Sequence, residues 1–452
     1  MISSPLKVIS DPVDPWVILV HSTYPRSLVT TAVGARISQL VWGENTVESI
    51  AETIQQEFDS PSRSQILDDI QFTLQQLHNS GLHPTSPTPR ISAKKADPES
   101  LTIYVTGQCN LRCKHCAIVE GKMPVDRITT ADMLRIISAY AEHVPDGTIT
   151  FLGGEPFMHA DILPLLEHAC ALVRGVVIST NGTFITNEIA ARVSKLQNLS
   201  LQVSLDGANQ EIHDFIRGKN SYESTWKAIK LFSSLMGERL VVATTLTKAS
   251  VKQVQELIAQ CDEHKISTLR FINLNKLKSA LVHWEQISPD PEVLKTTLRY
   301  LIFEAPQRPN GYTRIFAGIP GFVPNRNETQ DHWCPLGKMM LVTAQGEAYN
   351  CPIMETPDTE VTASFLGPST PAFTGIEKNQ RSRNWMKSRQ HEVSECQACA
   401  WRSYCGGGCT AFMALRSGDV RQNDEFCTFR RNLYREYFLR KQGLSVESLP
   451  EL

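Results

Sequence analysis

The chain has 452 residues, 41% of them hydrophobic and 20% charged, with a formal net charge of −2. That length accommodates about two to four domains with sizeable cores. The near-neutral charge gives no bulk electrostatic case for nucleic acid or an anionic membrane surface. No apolar run approaches a membrane span and Met1–Lys7 does not read as a signal peptide, so the expected location is cytoplasmic.

Residues 1–84 read as a small α+β domain. Trp16–Val20 is an apolar strand, and Leu28–Thr31 reads as a second. A helix over Gly34–Trp42 is stopped by Gly43. Asn45 with Glu48 three residues on predicts the N-cap of a second helix, which carries Val47, Ile50, Ile54 and Phe58 on one face. A third carries Ile66, Ile70, Leu74 and Leu77 and ends near Gly81. Strands followed by three helices make a winged-helix-like unit; on pattern alone it is also simply a cap. Residues 85–98 are rich in Pro, Ser, Thr and Lys and predict an extended linker that lets the first domain sit apart.

From 99 to 310, strands and helices alternate. Strands are expected at Leu101–Thr106, Thr148–Leu152, Gly175–Ser179, Leu201–Leu205, Leu240–Leu246 and Thr268–Ile272, with helices such as Thr130–His143 between them. Thr129 and Asp132 predict a capped start for that helix. Six βα units with right-handed crossovers give an α/β fold, a partial (β/α)6 TIM-like barrel whose chemistry belongs at the carboxyl ends of the strands.

The first strand is followed by Cys109, Cys113 and Cys116, spaced C-x3-C-x2-C. Twelve cysteines clustered at short spacings in a large chain favour metal in a reducing compartment over disulfides. Three thiolates suit three irons of a 4Fe–4S cube, leaving the fourth open to a small molecule. The alternative is structural zinc, which normally takes paired C-x2-C motifs and four ligands. Gly153-Gly154-Glu155-Pro156 closes the second strand, Asn181-Gly182 the third, and Ser204-Leu205-Asp206-Gly207 the fourth, followed by Arg217-Gly218. Taken singly, the first two are also ordinary turns, and Arg217 is also simply a helix-end cation.

Residues 311–452 hold Cys334, Cys351, Cys396, Cys399, Cys405, Cys409 and Cys427. The spacing runs C-x2-C-x5-C-x3-C over Cys396–Cys409 and leaves backbone room at Gly406-Gly407-Gly408. Two zinc sites would need eight ligands, one more than these seven unless His332 or His391 contributes. Cys170 and Cys261 fall on predicted helices and read as small core residues.

Together these motifs resemble the radical S-adenosylmethionine (SAM) enzymes that carry a C-terminal SPASM domain, and Gly34–Trp42, Thr46–Glu52 and the helix ending at Leu82 resemble a PqqD-like recognition element of ribosomal-peptide maturases. The resemblance implies a SAM-binding cluster on Cys109, Cys113 and Cys116, whose electron cleaves SAM to a 5′-deoxyadenosyl radical. It places His115 under the adenine, Gly153, Gly154 and Glu155 at the SAM amino group, Asn181 nearby, Ser204 or Asp206 at the ribose and Arg217 at the carboxylate. It implies two auxiliary 4Fe–4S clusters, three in all, one on Cys396, Cys399, Cys405 and Cys427. The other uses Cys334, Cys351 and Cys409, one cysteine short, so that His332 or substrate completes it.

The function so implied is modification of a precursor peptide whose leader adds a strand to the 1–84 domain. A carbon–carbon bond, a thioether crosslink or a related rearrangement would follow. The reducing partner would be a flavodoxin or ferredoxin. No catalytic acid or base is assigned, because hydrogen abstraction from carbon needs none in its first step. Formylglycine-forming sulfatase maturases and quinone-cofactor maturases are the neighbouring readings. The former carry an acidic residue where this chain has Pro352 and lack the recognition domain. An iron–sulfur electron carrier, which needs no SAM site, is the reading from another class.

Overall fold

The computed structural model describes residues 4–10, 15–58, 62–89, 100–118, 125–325, 339–349, 351, 363–364, 393–409, 411, 413 and 423–444. Cys334, His332, His391, Pro352 and residues 90–98 of the linker lie outside them. Among the described residues no helix is long and apolar enough to cross a membrane.

The chain opens with an antiparallel sheet of β1 (Leu6–Ile9), β2 (Trp16–His21) and β3 (Ser27–Thr31), in the order β1-β2-β3. Three helices follow: α1 (Ala32–Trp42), α2 (Val47–Glu57) and α3 (Arg63–Asn79). β1 gives no signal in the sequence, since Lys7 and Val8 in its middle are both exposed. The cap of α2 is Thr46, one residue later than expected. Its hydroxyl accepts from the Ser49 N–H, while Asn45 donates its amide to the Leu40 carbonyl at the end of α1. Both residue types cap helices; the register of the α1–α2 turn decides which one does.

The barrel strands are β4 (Ser100–Thr106), β5 (Thr148–Gly153), β6 (Gly175–Thr180), β7 (Leu199–Ser204), β8 (Leu240–Leu246) and β9 (Thr268–Asn273). All six are parallel neighbours in sequence order. The helices between and after them are α4 (Thr130–His143), α5 (Ile162–Leu172), α6 (Asn187–Lys195), α7 (Gln210–Arg217), α8 (Tyr222–Met236), α9 (Val254–Glu263), α10 (Ser279–Ile287) and α11 (Pro291–Phe303). Thr129 and Asp132 form the expected capping box of α4. Cys170 lies on α5, and Cys261 on α9 is fully buried.

The sheet does not end with the sixth strand. β10 (Arg314–Ala317) lies parallel on β9, and β11 (Met339–Val342) lies parallel on β4. β12 (Glu347–Tyr349) and β13 (Ala363–Ser364) continue antiparallel from β11. Segments beyond residue 310 thus complete a sheet whose pattern in the sequence stops at Ile272.

The chain divides into two compact units: Met1–Lys94 with Ile319–Cys334 and Trp385–Leu452, and Lys95–Gly318 with Pro335–Asn384. The first also contains the helices α12 (Ser394–Ala398), α13 (Arg402–Cys405) and α14 (Cys427–Lys441). Its packing explains why β2 is apolar throughout. Val17 and Leu19 pack with Ala35, Leu77 and Leu82 on the helical side. Ile18 and Val20 pack with Trp401, Tyr404, Tyr434, Phe438 and Leu439. Period-two alternation sends neighbours to opposite faces, so a strand covered on both reads as an unbroken apolar run. Each such side chain contributes about 1.5–3 kcal/mol by leaving water. The N-terminal sheet therefore shares a core with the cysteine-bearing helices of its unit rather than standing apart.

Candidate functional site

The cysteine loop after β4 is held at several points. The Asp126 carboxylate accepts from the Gly107 N–H and the Thr106 hydroxyl. The Lys114 N–H donates to the Ile216 carbonyl and the Ser279 N–H to that of Cys116. From β5, the Gly154 N–H donates to the Thr106 carbonyl and the Glu155 N–H to that of Gln108. This approach is why residue 154 is glycine: a Cβ there would stand 1.9 Å from the Gln108 carbonyl oxygen. Gly154→Ala is accordingly expected to push the loop out of register. Iron retained per chain after reconstitution should fall by about four, the content of one cube. Unchanged iron content with unchanged SAM affinity would refute the account.

The carboxyl ends of the barrel strands open on one cavity of about 430 Å³. Cys109, Cys113, His115, Cys116, Gly153, Gly154, Asn181, Ser204 and Arg217 all line it. The sequence therefore disperses over more than one hundred positions what the sheet gathers in one place. Asn181 donates its amide to Asn110 at 2.9 Å and reaches the Cys109 sulfur at 3.9 Å.

Two carboxylates expected at the site lie behind its wall. Glu155 is 1% exposed. It accepts from the Thr180 hydroxyl at 2.6 Å and from the N–H groups of Asn181 and Phe157. Burial pushes its pKa up against those bonds. Asp206 is fully buried and is the hub of the site. Its Oδ2 accepts from Arg217 Nε at 2.6 Å and lies 2.9 Å from His115 Nε2; its Oδ1 accepts from the Thr245 N–H at 2.6 Å. Burial would raise the Asp206 pKa, but Arg217, His115 and the Thr245 N–H hold it well below the usual carboxylate range. A buried charge persists because it is paired and hydrogen-bonded. The arrangement orients Arg217 and His115, both of which do reach the cavity.

Several wall residues carry no motif. Thr245, Asn273, Asn275, Ser279 and His283 line the cavity, and only their position at or beyond the ends of β8 and β9 could have drawn attention to them. Among the described residues, His115 Nδ1, Asn273 Oδ1, Asn275 Oδ1 and His283 Nδ1 are buried with no hydrogen-bond partner. Buried polar atoms are nearly always satisfied, so this many on one wall mark a polar ligand. Among the described residues, the guanidinium of Arg217 bonds Asp206 through Nε alone, leaving its Nη donors for an anion. Burial pushes the Cys113 thiol up to about 12, and the Cys109 thiol also upward. Thiolates there need a cation, which a metal supplies. These residues fit a thiolate-bound metal cluster with a zwitterionic, polar ligand beside it.

Comparison with known proteins agrees with that chemistry. Residues 103–261 match the Radical SAM superfamily, and residues 17–82 match coenzyme PQQ synthesis protein D (PqqD). The chain carries a Radical SAM domain and a PqqD-like domain. It is 28% identical over 320 residues to the mycofactocin maturase MftC of Mycolicibacterium smegmatis, covering 70% of this chain and 78% of that one. It is 24% identical over 370 residues to an AdoMet-dependent heme synthase of Nitratidesulfovibrio vulgaris, covering 77% and 98%. Its fold resembles Streptococcus suis SuiB bound to S-adenosylmethionine, with a TM-score of 0.59 at 18% identity over 94% of this chain and 99% of that one. It also resembles anSMEcpe with bound AdoMet and Cp18Cys peptide, at 0.59 and 18% over 76% and 98%.

Outside the radical SAM barrel, Cys396, Cys399, Cys405 and Cys427 line a second hollow, in the first unit. Cys396 lies on α12 and Cys399 caps its end; Cys405 ends α13 and Cys427 begins α14. Cys409 follows the glycine run in the same unit, whereas Cys351 follows β12 in the barrel unit. Among the described residues, no three His, Cys, Asp or Glu side chains converge tightly enough for a single metal ion. In an iron–sulfur cube each thiolate goes to a different iron, a wider arrangement.

Proposed function

We propose that this radical SAM enzyme matures a ribosomally made precursor peptide, with its leader bound by the N-terminal domain and its core presented to the barrel cavity. The observation that carries the reading is the cavity itself: three cysteines, an arginine with donors to spare and four unpartnered polar atoms at the ends of parallel strands. Cys109, Cys113 and Cys116 would hold a 4Fe–4S cluster. With SAM, that group supplies a radical able to take hydrogen from carbon. Arg217 would take the SAM carboxylate, Ser204 the ribose, and His115 the adenine, with Gly153, Gly154 and Asn181 shaping the wall. Glu155 and Asp206 would act from behind it, as positioning residues. The cavity excludes water from the reacting carbon. A flavodoxin or ferredoxin in the cytoplasm would supply the electron. Cys396, Cys399, Cys405 and Cys427 would hold one auxiliary cluster; Cys351, Cys409 and Cys334 would contribute to the other.

The deciding experiment is anaerobic. The reconstituted protein is assayed for iron, sulfide and 5′-deoxyadenosine formed from SAM with dithionite, then for mass change in small precursor peptides. About twelve irons with cleavage support the reading. Zinc without cleavage overturns it.

The leader would pair with β3, an edge strand of the three-stranded sheet. The His21 N–H donates to the Arg26 carbonyl. Bonded pairs alternate along an antiparallel ladder, so Leu28 and Thr30 bond toward β2 and Val29 turns its N–H outward. Val29→Pro removes that donor. Leader affinity, read by fluorescence anisotropy, is expected to drop about tenfold, one bond and its register lost. Peptide-independent SAM cleavage should be unchanged. Affinity equal to that of Val29→Ala would place the leader elsewhere.

A further inference from the structure

The hollow lined by Cys396, Cys399, Cys405 and Cys427 also contains two guanidinium groups. Arg430 and Arg431 follow Cys427 on α14 by three and four residues, the spacing that puts side chains on one helix face. Arg430 is 2% exposed. Its Nη1 donates to the Pro320 carbonyl at 2.9 Å and to Asp424 at 2.8 and 3.1 Å. Its Nε is buried with no partner among the described residues, and so is that of Arg431. Arg431 lies against Cys399 and Cys427.

The charges do not balance on their own. Among the described residues, Asp424 is the one carboxylate bonded to either arginine, and it also accepts from the Cys409 and Phe426 N–H groups. Its approach to the glycine run is so close that a Cβ at Gly408 would stand 2.1 Å from Asp424 Oδ2. Two buried or half-buried cations with Asp424 on Arg430 alone leave positive charge and two unused N–H donors in a hollow lined by four cysteines. Buried donors and cations are rarely left so. An anion with sulfur acceptors completes the site.

We propose that Arg430 and Arg431 neutralise and hydrogen-bond an iron–sulfur cluster held by Cys396, Cys399, Cys405 and Cys427, and thereby set its reduction potential. The inference rests on the auxiliary-cluster reading above and adds to it which residues tune the cluster. A cube on four thiolates is anionic and becomes more so on taking one electron, with no proton required. Cations and N–H donors beside it favour the reduced form, so potential tracks net charge and hydrogen bonds to sulfur. Arginine suits the task because its planar fork stays charged and shares its donors between Asp424 and the sulfurs.

The test uses the full chain with Cys109, Cys113 and Cys116 replaced by Ala, so that auxiliary iron alone contributes. An EPR-monitored dithionite titration is run on this background and on Arg430→Gln, Arg430→Lys and Arg431→Gln. Each Gln variant is expected to keep its iron and sulfide while one reduction wave moves to lower potential by about 59 mV, a tenfold loss of reduced form at fixed poise for one electron. Arg430→Lys keeps the charge and should recover part of that shift. Arg431 is half-exposed and bonds no carboxylate among the described residues, so Arg431→Gln decides the matter where Arg430→Gln fails to fold. Full iron content with no wave moved overturns the tuning role and leaves the cluster standing. Zinc in place of iron on the parent background overturns the cluster reading and the inference with it.

Discussion

With Cys109, Cys113 and Cys116 replaced together by Ala, 5′-deoxyadenosine formation from SAM is expected to fall to the background of buffer and dithionite. Iron should fall by about four per chain and no further, because one cube is lost and the cysteines at 396–427 are untouched. The physical basis is that all three thiols line one cavity and two of them are raised in pKa by burial. A thiolate there is stable only beside the metal, so ligation and deprotonation stand or fall together. Removing all three avoids an ambiguous remnant in which two cysteines hold a degraded cluster. Cleavage surviving in the triple variant would show that SAM is bound and cut elsewhere, and the site assignment would fail. Loss of all iron would instead show that the cysteine-rich segment binds none.

The second large effect is expected at Asp206. Asp206→Asn keeps the shape of the side chain but leaves Arg217 buried without its counter-ion. Breaking a buried pair from one side costs about 3–5 kcal/mol. The midpoint of urea unfolding should move accordingly. SAM affinity in the reconstituted protein should also fall, by about 10–100-fold, the usual effect of removing a residue that orients the groups in contact. These two losses separate in the double variant Asp206→Leu/Arg217→Met, which removes both charges. Stability should then recover in part: no buried charge is left unpaired, but the Thr245 N–H and His115 lose their acceptor. SAM affinity should not recover, because no guanidinium is left for the carboxylate. Recovery of binding in the double variant would show that Arg217 serves the fold alone.

Much of this protein was legible in the amino-acid sequence. All six barrel strands lie within two residues of the expected positions, because each alternates or runs apolar over its own length. The capping box at Thr129 and Asp132 was legible for the same reason: its two bonds close within four residues. The spacing of Cys109, Cys113 and Cys116 pointed to one short loop, and all three line the same cavity because so few residues separate them. Asn45 against Thr46 marks the limit of local reading, since two adjacent cap-forming residues differ only in where the preceding turn leaves them.

The tertiary structure decided what depends on partners far away in the chain. The residues Ser204-Leu205-Asp206 announce a site but not that Asp206 turns inward to join Arg217, His115 and Thr245. Nor does a strand of five apolar residues state that Ile18 and Val20 are covered by Trp401 and Tyr434, nearly four hundred positions on. β10 and β11 lie outside the βα pattern and are placed by their pairing with β9 and β4. Arg430 and Arg431 read as two charges on a terminal helix until Cys396, Cys399 and Cys405 are brought against them. Spacing and periodicity determine local geometry and the kind of ligand a loop holds. Burial and charge balance are sums over everything that folds around a residue, and only the assembled chain supplies them.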